Sequence, residues 1–160
     1  MIYQNKVDDL RKMRHKVSEK EDTMRAKDFM DQAPKPRGGY QAFEISDSSR
    51  SQLAKIFPPK FTEFIGHHIT YRVGAKSDQP LPEAESFTVI GYACDDDGIE
   101  ALVVEVDGAS TRPDGKTFHI TWSLDRSAGF KPVNSNDLIA AHGYDKIPNP
   151  INIAAIAKFF

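Results

Sequence analysis

One tripeptide occurs twice in this chain, as His68-Ile69-Thr70 and His119-Ile120-Thr121, 51 residues apart. An imidazole titrates near neutral pH, so two histidines brought together can divide acid and base work between them. A threonine hydroxyl two residues further on can donate a hydrogen bond to a non-bridging phosphate oxygen. Phosphodiester cleavage at a ribose needs that set. One histidine takes a proton from a 2′-hydroxyl or a water, and the other protonates the leaving oxygen. Such a scheme needs no metal and no cofactor. A single H-x-[ST] arises by chance in most proteins, whereas two identical copies in amphipathic, β-rich runs form a constellation. The sequence leaves open which histidine is the base.

The faces follow from the two-residue period of a strand. His68, Thr70 and Arg72 share one face of the first run; Ile69, Tyr71 and Val73 share the other. In the second run His119, Thr121, Ser123 and Asp125 face one way, opposite an apolar face of Phe118, Ile120, Trp122 and Leu124. Arg72 and Ser123 therefore join the candidates for substrate binding, with an ion pair as the plainer reading of Arg72. Tyr40 opens an earlier strand, where it either stacks on a base or packs in the core. Lys131 follows the second tripeptide and can reach a phosphate from a loop. His67 is expected to face away from His68, and adjacent strand residues chelate one ion poorly, so no metal site is expected there. Asp95-Asp96-Asp97-Gly98 lacks the alternating ligand spacing of a calcium loop and reads as a hairpin turn. Cys94 reads as an inert buried thiol, His15 and His142 as surface residues, and Trp122 as core.

These residues need a frame. Residues 1–33 carry alternating charges with a thin apolar stripe at Val7, Leu10, Met13 and Val17, which predicts an exposed helical extension. That extension reads as a solvated segment or as an arm contacting a partner or a second copy. A Pro/Gly linker ends it by residue 39, and a domain is expected over residues 40–160. Tyr40–Ile45 reads as a strand. Ser46 or Asp47 can cap a helix over Ser49–Phe57 with Leu53, Ile56 and Phe57 inward, stopped by Pro58-Pro59. Phe64–Val73 reads as one strand, and 77–85 as a Pro-rich loop. A hairpin follows over Ser86–Cys94 and Ile99–Val106. A turn at Arg112-Pro113-Asp114-Gly115 leads into a strand over Lys116–Leu124. Asn134 or Ser135 can cap a last helix reaching Ala141. The apolar end, Ile151–Phe160, is expected to pack on its own domain. The order predicts a mixed α+β domain with antiparallel pairs.

Composition narrows the function. Charges of 21 Lys/Arg against 23 Asp/Glu leave a net −2, too little positive charge to hold a long duplex by phosphate neutralisation alone. One cysteine excludes an internal disulfide and a C-x-x-C zinc site. No apolar run approaches the ~18 residues of a membrane span, and the charged N-terminal stretch lacks a signal-peptide core. A cytoplasmic setting is expected.

The two H-x-[ST] tripeptides, the first preceded by a strand and a helix, make residues 40–125 resemble the 2H phosphoesterases. That superfamily includes RNA 2′,3′-cyclic phosphodiesterases, 2′-5′ RNA ligase-like proteins and phage nucleases that degrade cyclic oligonucleotide signals. The resemblance implies a compact bilobal α+β fold with mixed or antiparallel sheets and a central groove. It implies catalysis by His68 and His119, phosphate binding by Thr70 and Thr121, and RNA ends or small cyclic ribonucleotides as substrates. The short stretch between the tripeptides offers no helix, so reduced lobes are expected. A non-catalytic RNA- or nucleotide-binding module, or an interaction protein built on the same fold, is the alternative.

Overall fold

The computed structural model describes residues 39–160, which form one compact unit of mixed α+β structure. The reading of residues 1–33 as a helical extension lies outside the described residues.

The strands are β1 (Gly39–Ile45), β2 (Glu63–Phe64), β3 (His68–Ala75), β4 (Phe87–Asp95), β5 (Ile99–Val106), β6 (His119–Leu124), β7 (Asp145–Ile153) and β8 (Ala155–Phe159). The helices among the described residues are α1 (Asp47–Ile56) and α2 (Asn134–His142), with a 3₁₀ turn over Arg126–Ala128. All strands join one sheet in the order β7-β4-β5-β6-β3-β1-β8, with β2 paired to β6, and every pairing is antiparallel. The two edge strands, β7 and β8, are consecutive in the chain and joined by Ala154 alone. The sheet must therefore curl until the end of β7 meets the start of β8. The first turn of α1 pins that corner: Ser46 N–H donates to the Ala154 carbonyl at 3.0 Å, and Ala154 N–H to Ser49 Oγ at 2.8 Å.

Burial follows the sequence pattern where one face is wet. β4 alternates strictly between buried and half-buried residues. β5 and β6 are buried on nearly every residue, because α2 and the loop before it cover the second face of this region. Phe43, Leu53, Ile69, Leu102, Val104, Ile120 and Trp122 form the centre of the core.

Several expected elements differ in detail. Ser46 does cap α1, accepting from Ser49 N–H, but Ile56 is half exposed and only Leu53 of the expected trio is buried. α2 starts after Val133, whose side chain caps nothing; Asn134 Oδ1 instead accepts from Lys131 N–H in the preceding turn. The tail forms β7 and β8. Pro148 and Pro150 are tolerated because β7 meets β4 on one side, and the paired register skips them, resuming at Ile151.

The expected strand over Phe64–Val73 is broken. After Phe64 pairs with Ser123, Ile65 and Gly66 N–H groups still donate to the Trp122 and Thr121 carbonyls, and then the chain kinks. Gly66 adopts a φ of +46°, and a Cβ there would lie 2.6 Å from the Phe64 ring and 2.9 Å from Trp122. Arg50 of α1 holds the kink. Its Nε and Nη2 donate to the carbonyls of Gly66 and Ile65, both at 3.0 Å, and its guanidinium lies 3.9 Å over the Phe64 ring.

Candidate active site

The two tripeptides lie side by side. β3 and β6 are neighbours, and Ile69 pairs with Ile120. Antiparallel pairing about those residues sets His68 level with Thr121 and Thr70 level with His119. The isoleucines are both fully buried. His68, Thr70, His119 and Thr121 all line one cavity of about 500 Å³.

Both strands also carry an extra residue just after the threonine. On β3, Ala42 pairs with Thr70 and Gln41 with Arg72, so Tyr71 is the bulged residue. On β6, Ala101 pairs with Thr121 and Glu100 with Ser123, so Trp122 is bulged. A bulge shifts the alternation by one residue. This is why Arg72 and Ser123, expected beside the catalytic groups, do not line the cavity. Arg72 is exposed, its guanidinium 5.6 Å from the Tyr71 ring centre. Val73 takes its place on the cavity wall and is exposed there. Ser123 is fully buried in a different network, in which Glu100 accepts from Ser123 Oγ, from Tyr92 Oη at 2.5 Å and from Lys60 N–H at 2.7 Å. Ser123 Oγ accepts from Phe61 N–H at 3.0 Å, and Trp122 Nε1 donates to Phe57 O at 2.8 Å, so the network fastens the end of α1 to β6. Burial and the bond to Glu100 raise the Tyr92 hydroxyl well above its ordinary pKa. Lys131 is exposed and is not part of the cavity wall, although Pro132 and Val133 beside it are. Tyr40 does line the cavity, its ring centre 5.3 Å from that of His68 and stacked on Phe160 at 5.4 Å.

The two imidazoles differ in their partners. His119 is buried, and its Nδ1 lies 2.8 Å from the Thr117 carbonyl. A carbonyl only accepts, so Nδ1 carries the proton and Nε2 holds the lone pair of the neutral ring. Burial lowers the His119 pKa to about 4, against the Thr117 bond, which favours the charged form. His68 is also lowered to about 4, by burial first and by His67 and His119 next, with Glu44 opposing. His67 does not face away from His68: the kink at Gly66 ends the strand geometry, and the two Nδ1 atoms are 2.9 Å apart.

The threonines differ too. Thr121 Oγ1 donates to the Pro132 carbonyl at 3.1 Å and is 2.9 Å from Ser135 Oγ, itself fully buried. Ser135 can therefore supply a hydrogen to Thr121 when the threonine hydroxyl turns toward a ligand.

A further part of the cavity wall comes from the expected turn at residues 112–115. Arg112 N–H donates to Lys116 O at 2.7 Å and Gly115 N–H to Arg112 O at 2.9 Å, closing a tight loop. The buried Arg112 side chain holds Asp114 through two bonds, Nη2 at 2.5 Å and Nε at 3.1 Å. Arg112, Asp114 and Lys116 line the cavity, as does Asn136 of α2. The available sequence signal was a cationic turn ending just before the second tripeptide. Among the described residues, no three His, Cys, Asp or Glu side chains are grouped to hold a metal ion, and no helix is long and apolar enough to cross a membrane.

Comparison of the chain with protein-family models, curated proteins and solved structures gives no match.

Proposed function

We propose that this chain is a phosphodiesterase of the 2H type, acting without metal on ribonucleotide phosphodiesters: 2′,3′-cyclic phosphate RNA ends or cyclic oligonucleotide signals. The observation that carries this reading is the pairing of the two His-Ile-Thr tripeptides, Ile69 to Ile120, on the wall of one cavity. The pairing relates the motifs by a local two-fold, and each belongs to its own half of the sheet. β1, β3 and β8 lie on the His68 side, while β2, β4, β5, β6 and β7 lie on the His119 side. The resemblance implies two lobes, and the two sides of this single sheet are read here in their place.

His119 is the base. Its Nε2 lone pair is fixed by the Thr117 bond, and burial keeps the ring neutral at working pH. It takes the proton of a 2′-hydroxyl, and the oxygen so freed attacks phosphorus. His68 protonates the leaving oxygen. Thr70 and Thr121 hold the non-bridging oxygens, and Lys116, beside the Arg112–Asp114 pair, adds positive charge at the cavity wall. In a following hydrolysis the roles exchange: His68 deprotonates water and His119 returns its proton to the 2′-oxygen.

The test is product analysis in the presence of EDTA, with 2′,3′-cyclic nucleotides, cyclic di- and trinucleotides and short RNAs. Hydrolysis of at least one class is expected. Saturable binding without turnover of any class would instead establish the non-catalytic binding module.

A further inference from the structure

A buried histidine with its pKa near 4 is a poor acid at neutral pH, because almost none of it carries the second proton. The surroundings of His68 suggest where that proton is kept. Its Nδ1 is bonded to Nδ1 of His67 at 2.9 Å, and Nε2 of His67 lies 3.2 Å from Glu44 Oε2. Glu44 Oε1 pairs with Lys158 of β8, whose hydrogen bond holds the carboxyl below its ordinary pKa and so ionised. The other titratable groups near this chain are Tyr40 of β1, beside the His68 ring, and His119 of β6. His67 is about half exposed, and His68 is half-buried.

Bonding rules then fix the tautomers. Glu44 only accepts, so His67 Nε2 carries a hydrogen. When His67 is neutral, its Nδ1 is a lone pair. His68 Nδ1 must donate to it, and His68 Nε2 is then a lone pair. When His67 is protonated, its Nδ1–H donates to His68 Nδ1, and the neutral His68 carries its hydrogen on Nε2. One proton gained at His67 thus turns the ligand-side nitrogen of His68 from an acceptor into a donor.

We propose that Glu44, His67 and His68 form a proton relay in which His67 is a positioning residue that stores the acid proton and sets the tautomer of His68. This rests on the phosphodiesterase reading for its use, though not for its existence. In the step itself, His68 Nε2–H gives its proton to the leaving oxygen as the P–O bond breaks. His68 Nδ1 takes the proton of His67 Nδ1. The +1 charge of His67 and the −1 developing on the oxygen are both cancelled. His68 is left with a lone pair on Nε2, the form required of the base in the hydrolysis that follows.

Histidine ¹⁵N spectra of the full chain, recorded against pH, test the relay without substrate. The expected result is that His68 carries its proton on Nε2 below the midpoint of the His67 titration and on Nδ1 above it. In His67→Phe, which keeps an aromatic ring but no nitrogen, that coupled change is absent. A His68 tautomer that is constant with pH, or that changes identically in His67→Phe, overturns the proposal. A second arm compares ribonucleoside 3′-phosphodiesters with a ribose or a 4-nitrophenol leaving group, since the phenol leaves without a proton. His67→Phe is expected to lose at least about 10-fold on the ribose leaving group and little on the phenol. Equal losses on both overturn the acid role. If the parent protein cleaves neither of these and hydrolyses no 2′,3′-cyclic nucleotide or cyclic oligonucleotide, the phosphodiesterase reading has failed, and the spectra still decide the relay.

Discussion

Ile69 and Ile120, the middle residues of the two tripeptides, are paired across β3 and β6 and are both fully buried. This pairing joins β3, which bears His68, to β6, which bears His119. Truncating Ile69 to Ala removes packed methyl groups at that seam and is expected to cost about 2–5 kcal/mol. Ile69→Val should cost only about 0.5–1.5 kcal/mol. Denaturant unfolding measures both. Equal, negligible costs would mean the seam is not a packing joint.

Arg50 governs the kink that turns His67 toward His68. It satisfies the carbonyls of Ile65 and Gly66, and Arg50→Ala leaves them without those donors. Hydrogen bonds from a charged donor contribute roughly 1.5–3 kcal/mol, and a loss of that order is expected in thermal or denaturant unfolding. Arg50→Lys should recover only part, because a point charge cannot span two carbonyls as the planar fork does.

Ser135 backs Thr121. With Ser135→Ala, Thr121 keeps its bond to Pro132 O but loses the group that supplies a hydrogen when the hydroxyl turns to a phosphate. A fall in kcat of about 3- to 10-fold is expected, equivalent to a net hydrogen bond of about 1 kcal/mol. No matching fall is expected in Ser127→Ala, whose hydroxyl bonds Asp125 at 2.5 Å in the 3₁₀ turn.

Acid should destabilise the fold through the two histidines. Each has a native pKa of about 4 against an unfolded value of 6.5. Above pH 6.5 both states are neutral and nothing is lost. As pH falls from 6.5 to about 4 the unfolded chain binds protons that the native chain refuses, so stability drops. The slope approaches about 1.4 kcal/mol per pH unit for each histidine, and it levels off below the native pKa. His119→Gln should remove its share of that slope. A stability curve flat between pH 6.5 and 4 would contradict the burial of the imidazoles.

The parts of this site that were legible in the sequence were those set by strand period and turn chemistry. The Asp95–Gly98 hairpin, the Ser46 cap and the apolar face through Ile120 and Trp122 each follow from a local rule. The errors fall where local rules give way. Alternation placed Arg72 and Ser123 on the cavity because a bulge leaves no clear trace in one strand; it depends on the neighbour, β1 or β5. The same assumption turned His67 away from His68, although Gly66 stood just before it as a marker of the break. Arg112 and Asp114 read as a plain turn and Lys116 as the start of a strand, since one strand's pattern does not show that the loop between β5 and β6 lines the cavity. The tail hid two strands because Pro148 and Pro150 argue against a central strand, and they lie in the stretch of edge strand β7 that its register with β4 skips.

The central claim is that two histidines from separate halves of the sheet act together on one phosphodiester. Its most direct measurement is the turnover of His68→Ala and His119→Ala, with EDTA present, on whichever ribonucleotide the parent protein hydrolyses. Each variant is expected to fall by at least about 10²-fold, the lower end of acid–base contributions. Turnover left unchanged by either substitution would contradict the account.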